Sequence, residues 1–317
     1  MSQPPPPPSI CPRAVVCFVF GALSPALLLL TGIPALWMGV RSLRAINASD
    51  GRLRGRRLAV AGMVLGGLGC AAAVFGSLAL VFVELRVRSQ RLECLNNLRQ
   101  IGGAVLNYQS ANNAFPPGAV PNVALAPEKR LSWLTALPPF LGQKTKDSRE
   151  AQALYEQLDL SLAWDADGNA MIAHAAVPFC RCPAHPTDDP RVTKGHTHYV
   201  GFAGVGHDAA ELARGDPRAG IFGYDRVVRG GDMTAGATQT LLATETSRDN
   251  GPWTAGGSPT VRGLDRVDAP YIGLGRAFGG MHPHGLNVLR ADGGADFMAD
   301  DVAPGFFETL TRVWREE

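Results

Sequence analysis

The chain has 317 residues, of which 46% are apolar, and a formal net charge of +2, a length that allows one or two domains with cores of their own. The near-neutral average hides a basic start and an acidic remainder. Setting aside Arg13, six arginines between 41 and 57, and Asp50, the segment from Glu84 onward carries about −4, which excludes the basic footprint of a nucleic-acid-binding surface.

Residues 1–13 open with "SQPPPPPS", a proline run expected to be an extended, disordered tail with no core. Ala14–Val40 and Leu58–Val83 then follow as two runs free of Lys, Arg, Asp, Glu and His. Each exceeds the roughly 20 apolar residues that cross a bilayer as a helix. They predict a two-span transmembrane hairpin over 14–83, with Pro25 and Pro34 kinking the first span. The connector 41–57 holds Arg41, Arg44, Arg52, Arg54, Arg56 and Arg57 against Asp50, and short basic loops stay cytoplasmic. The expectation is a multi-pass protein of the cell membrane, with lipid as a partner and residues 84–317 extracytoplasmic. Gly62 and Gly66, extended by Gly69 and Ala73, form a small-residue face for close helix packing, inside the hairpin or between subunits.

Past Val83 the pattern becomes one-sided. Cys94, Leu98, Ile101, Val105 and Tyr108 recur at helical spacing and predict a spine helix over 84–113 with one buried stripe, ended by "NAFPPG". If the second span runs into it, residues 59–112 form one helix of about 80 Å. Helical pattern also marks "LSWLTALPPFL" and "EAQALYEQLDL". The β-type runs are "HYVGFAG", "QTLLATE" and "GLNVLRADGGADFM", the last a hairpin turning at Asp292-Gly293. The predicted class is α+β: a long helix packed on an antiparallel sheet in two layers.

"RLECLNNLRQIGGAVLNYQSANNAFPPG", "LSWLTALPPFL", "VPFCRCPAHP", "HYVGFAGVG", "TQTLLATE" and "GGMHPHGLNVLRADGGADFM" resemble, in order, the blocks of the pseudopilin-like proteins called domain of unknown function 1559, over about residues 88–300. Residues 14–83 look like a two-span family, domain of unknown function 4190. The first resemblance implies a pilin-like shape, a membrane-rooted helix bearing an extracytoplasmic head. It also implies a part in a type II secretion-like system or surface structure, with proteins of such assemblies as partners. Family members begin with a glycine cut site before an "FTLIE" segment. This chain has only "LVFVEL" near Glu84, which predicts a fixed anchor rather than a processed subunit.

The head holds Cys94, Cys180 and Cys182. Cys94 lies on the stripe and the "CP" at Cys182 matches the family block, so a Cys94–Cys182 disulfide is expected, with Cys180 as the other candidate partner. A metal site from Cys180, Cys182, His196 and His198 has zinc-type donors at unusual spacing. Its bland counterpart is a loop with surface histidines, and no metal or other cofactor is expected. His282 or His284 beside Asp292 could pair a base with an acid, but there is no nucleophile motif, and His282 more simply fixes the loop before the hairpin. The expected function is non-enzymatic, a structural or assembly protein. The alternative is a glycan- or solute-binding module using Trp133, Trp164 or Trp253.

Overall fold

The computed structural model describes residues 9–27, 29–142, 145–185 and 194–315, with the backbone alone at 24–27. The chain divides into two compact units, Met1–Arg86 and Val87–Glu317.

In the first unit, β1 (Ser9–Ile10) leads into α1 (Pro12–Leu27) and α2 (Leu29–Asn47). Then β2 (Leu53–Arg54) precedes α3 (Arg56–Asn112), a helix of 57 residues. Two expectations are corrected here. The run 14–40 is not one span, because α1 and α2 fold back on each other: the Cys17 thiol donates to the Ala35 carbonyl at 3.2 Å. A Cβ added at Gly39 would stand 3.1 Å from the Cys17 sulfur. Nor is all of 1–13 a disordered tail. Ser9 and Ile10 pair in parallel with Leu53 and Arg54, and Cys11 is buried with Ala14 and Ala59. The proline run itself, residues 4–8, lies outside the described residues.

The small-residue face of α3 is used inside this unit. A Cβ at Gly62 would lie 2.6 Å from the Cys17 carbonyl oxygen, and one at Gly66 would lie 2.8 Å from the Ala35 Cβ, so only glycine lets the three backbones approach this closely. Beyond Ala73 the character of the helix changes. Val74, Phe75, Leu78, Leu80, Val81, Phe82, Val83 and Leu85 are all exposed, on every face of the helix. Among the described residues α3 is the one helix long and apolar enough to cross a membrane. Its length is about 85 Å at 1.5 Å per residue.

In the second unit α3 is one-sided. Cys94, Leu98, Ile101, Ala104 and Val105 are fully buried, and Tyr108 packs edge-on to Phe140 with centroids 5.1 Å apart. Asn113 takes the left-handed conformation (φ 52°) that closes many helices, and the following prolines keep the chain extended. "LSWLTALPPFL" is not an α-helix but two 3-10 turns, Trp133–Ala136 and Pro138–Phe140, since Pro138 and Pro139 supply no backbone donors. Next come α4 (Lys146–Tyr155), opened by Thr145, whose side chain accepts the Ser148 N–H at 3.2 Å, and α5 (Asp167–Ala173).

The sheet has the order β5-β3-β4-β6-β7, from β3 (Tyr199–Val205), β4 (Leu241–Glu245), β5 (Val261–Leu264), β6 (Gly285–Arg290) and β7 (Ala295–Ala299). It is mixed rather than antiparallel, because β5 joins β3 in parallel. The β6–β7 hairpin forms around Asp292-Gly293, with Gly293 at φ 82°. Strand alternation sorts the side chains into two cores. Tyr199, Ala203 and Leu289 face Leu98, Ile101 and Val105 of α3, together with Trp133, Phe222 and Trp253. Val200, Phe202, Leu286 and Val288 face α6 (Pro304–Thr311), whose Phe307 meets Phe202 edge-on at 5.6 Å. The unit therefore has three layers, not two, with α6 covering the face that the two-layer expectation left open.

Two adjacent glycines on α3 test this packing. A Cβ at Gly102 would be 2.7 Å from Leu289 Cδ1 and 3.1 Å from the Gly293 carbonyl, whereas Gly103 faces open space. Gly102→Val is expected to lower stability by about 1–3 kcal/mol through overpacking. Gly103→Ala should be neutral or raise stability by up to about 1 kcal/mol. Denaturant unfolding of the full chain in detergent, followed by tryptophan fluorescence, measures both, and equal effects would contradict the packing described.

Candidate functional site

The sheet's register brings polar residues into a row on the face toward α3. Tyr199 at the start of β3 pairs with Glu245 at the end of β4. Thr244 pairs with Val288 of β6, which sets Asn287 beside Glu245. Tyr199, Glu245 and Asn287 are completely buried. A buried carboxylate requires donors, and Glu245 has them. Its Oε1 accepts the Asn287 backbone N–H at 2.9 Å, and its Oε2 accepts the Asn287 side-chain amide at 3.2 Å. His282 Nε2 stands 3.4 Å from the same Oε2.

His282 arrives from the loop between Phe278 and β6. Gly279 anchors that loop, its N–H donating to the Glu245 carbonyl at 2.8 Å and its carbonyl accepting the Ser247 N–H. Gly279 and Gly280 take left-handed φ values of 79° and 88°, open to glycine without strain. On the helix side, Cys94 is joined to Cys182 by a disulfide with Cα atoms 5.3 Å apart, and His282 Nε2 lies 3.6 Å from the Cys182 sulfur. Asn97, one turn along α3, donates to the Arg181 carbonyl at 2.9 Å and to the Tyr199 hydroxyl at 3.3 Å. That hydroxyl donates to the Cys94 carbonyl at 3.4 Å. Burial, and next the charge of Glu245, raise the Tyr199 pKa well above the usual phenol range, so it serves as a neutral donor.

The remaining sequence candidates are placed elsewhere. Cys180, Cys182, His196 and His198 do not assemble into a ligand set: Cys182 is committed to the disulfide, and Cys180 is a separate buried thiol whose pKa burial pushes up. His198 has a structural role, its Nδ1 accepting the Cys182 N–H at 2.8 Å while its ring stacks on His185 with centroids 4.3 Å apart. His196 sits in a bridge with Pro252. Asp292 is not the acid beside His282; it caps the β6–β7 turn, accepting the Gly294 N–H at 2.9 Å. Trp253 and Trp133 are fully buried, and Trp164 is half-buried with its ring N–H on the Glu128 carbonyl, so none of the three is an exposed binding ring. Glu245, the true partner of His282, was visible only as the last letter of "QTLLATE". A lone acid ending an apolar strand is the signal that could have drawn notice to it. A separate surface cleft of about 680 Å³ is lined by Glu128, Glu211, Arg214, Tyr224, Asp225 and Arg229, none of them in the buried cluster.

The second unit is thus an α+β domain in which a helix continuous with an apolar segment is stapled to a sheet bearing a buried polar row. Its family follows from the comparison with known proteins: the chain belongs to the family described as protein of unknown function (DUF1559), whose model matches residues 86–268. The matched stretch carries Cys94, Cys182, Tyr199 and Glu245, ends before His282 and Asn287, and does not include residues 14–83. No curated protein and no solved structure matches the chain.

Two measurements follow from this geometry. Replacing both cysteines, Cys94→Ala with Cys182→Ala, opens a loop closed across 88 positions. The expected cost is about 2–4 kcal/mol in denaturant unfolding, and a loss below about 0.5 kcal/mol would contradict a disulfide that constrains the domain. The second concerns pH. Burial, with His185, Arg181 and His196 adding to it, drives the His198 pKa from 6.5 down to about 3. Below pH 6.5 the unfolded chain therefore binds a proton that the folded chain refuses, and stability falls as pH falls through that window. Between pH 6.5 and 4.5 the slope from this ring should approach about 1.4 kcal/mol per pH unit. His198→Asn, which keeps an acceptor for the Cys182 N–H, should flatten it, and an unchanged slope would count against a buried neutral ring.

Proposed function

We propose that the chain is a non-enzymatic, membrane-anchored structural or assembly protein whose C-terminal domain stands on the extracytoplasmic side. One observation carries this reading: along α3, four consecutive residues from Leu80 to Val83 are each more than half exposed, a fully apolar surface that water disfavours and lipid accepts. The disulfide supports an oxidising compartment for the domain. The burial of Glu245 and His282 supports a structural role for this acid–imidazole pair, which the structure forms in place of the His282–Asp292 pairing offered by the sequence. Partners among the proteins of a secretion-like or surface assembly follow from the pseudopilin-like resemblance, and burial of Trp133 and Trp253 counts against the glycan-binding reading.

The topology in this proposal differs from a plain two-span hairpin, even though residues 14–83 resemble a two-span family. Pairing of Ser9 and Ile10 with Leu53 and Arg54 supports a topology with the N-terminal strand and the arginine-rich connector on one side of the membrane. The α1–α2 fold-back then returns to the side from which it entered, and α3 makes the net crossing. Basic residues 41–57 favour the cytoplasm for that side.

Single cysteines at Ile10, Asp50 and Asp300, labelled in intact cells with a membrane-impermeant maleimide, test it. D300C is expected to react, while I10C and D50C react only after lysis. Reaction of I10C together with D300C would restore two full spans, and protection of D300C would invert the proposal.

A further inference from the structure

The buried cluster holds a set of donors that its disulfide conceals. One donor atom from each of Cys94, Cys182, Glu245 and His282 lies within 4.8 Å of the other three, and all four residues are buried. We propose that when the Cys94–Cys182 disulfide is reduced, these two sulfurs, His282 Nε2 and a Glu245 carboxylate oxygen form a tetrahedral zinc site. Disulfide and metal then become alternative closures of the same joint between α3 and the sheet.

The four donor atoms are close enough together to share one ion. Zinc takes thiolate at about 2.3 Å and imidazole or carboxylate at about 2.0–2.2 Å, so neighbouring donors in a tetrahedral site stand about 3.3–3.8 Å apart. His282 Nε2 is already 3.6 Å from the Cys182 sulfur and 3.4 Å from Glu245 Oε2. The edge between the two sulfurs is shorter than such a site needs, because it is a covalent bond. Reduction lets that edge lengthen by side-chain rotation while the other donors stay where they are. The outer supports are also present: Asn287 donates through its backbone and its side chain to Glu245, fixing the carboxylate's orientation as partners of metal ligands do.

The chemistry balances with a dithiol as reductant. Thiol–disulfide exchange transfers two electrons and two protons to Cys94 and Cys182 and leaves the dithiol oxidised to its own disulfide. Zinc binding then releases the two thiol protons. The product is a site of two thiolates, one neutral imidazole and one carboxylate around the dication, of net charge −1, with the Asn287 donors facing the carboxylate. The site needs no other group. It differs from the CxC and HxH reading of the sequence in taking only Cys182 from that set.

The test uses the full chain in detergent, with the disulfide intact or reduced by a dithiol that is then removed under inert gas, followed by added zinc and desalting. Bound zinc is measured by elemental analysis, and cobalt(II) is substituted to read thiolate-to-cobalt charge transfer and tetrahedral ligand-field bands. About one zinc per chain is expected in the reduced protein and essentially none in the oxidised one. His282→Ala and Glu245→Gln should each weaken zinc binding at least tenfold, while Cys180→Ser and His198→Asn retain it. The proposal is overturned if the reduced chain, still folded by tryptophan fluorescence, binds no more zinc than a Cys94→Ser/Cys182→Ser variant. It is equally overturned if zinc is lost with Cys180→Ser and kept with His282→Ala.

Discussion

A single helix with two kinds of surface is the constraint from which the rest of the structure follows. Residues 74–85 of α3 offer apolar side chains in all directions, whereas residues 94–105 offer them in one. No single solvent suits both, since the first surface lowers its free energy in hydrocarbon and the second against a folded core. Because backbone hydrogen bonding is satisfied within a helix wherever it lies, α3 can pass from one setting to the other without a break. Its two ends are then held by different chemistry: close backbone packing at Gly62 and Gly66 in the first unit, and an apolar stripe with a covalent staple in the second.

The staple sits where the sheet is most polar. Burying Glu245 among apolar neighbours costs several kcal/mol unless its lone pairs are met; Asn287 donates to both carboxylate oxygens, and His282 Nε2 stands 3.4 Å from one of them. Those partners come from β6 and from the loop leading into it, so a one-residue slip of β6 against β4 would leave the carboxylate unpaired and turn Asn287 to the other face. The polar row therefore specifies register, and the apolar residues around it supply the stabilisation. The same arrangement holds Tyr199 neutral and ties it through Asn97 to the helix and the Arg181 segment.

How much of this was legible depended on the range of the signal. Cys94, Leu98, Ile101 and Val105 could be read as a buried stripe because helical period is a local property, and Asp292-Gly293 marked the β6–β7 turn because turn chemistry is local too. The fold-back of residues 14–40 was hidden, since uninterrupted apolar character says that a segment avoids water and not where it reverses. The parallel partner β5 and the third layer α6 were short elements, too brief for periodicity to single out. Glu245 meeting His282 was invisible for another reason: 37 positions separate them, and only sheet register brings them together. Trp253 misled because a tryptophan in a glycine-rich loop reads equally as an exposed platform or a buried plug, and here it is the plug.

The central claim is that α3 changes environment without changing conformation, and a spin-label accessibility scan along residues 58–110 in lipid vesicles tests it most directly. The account predicts high oxygen and low nickel-complex accessibility on every face from about 74 to 85, giving way from about 91 to a 3.6-residue oscillation with buried minima at 94, 98, 101 and 105. Nickel-complex accessibility throughout 74–85, or a loss of helical periodicity between the two stretches, would contradict it.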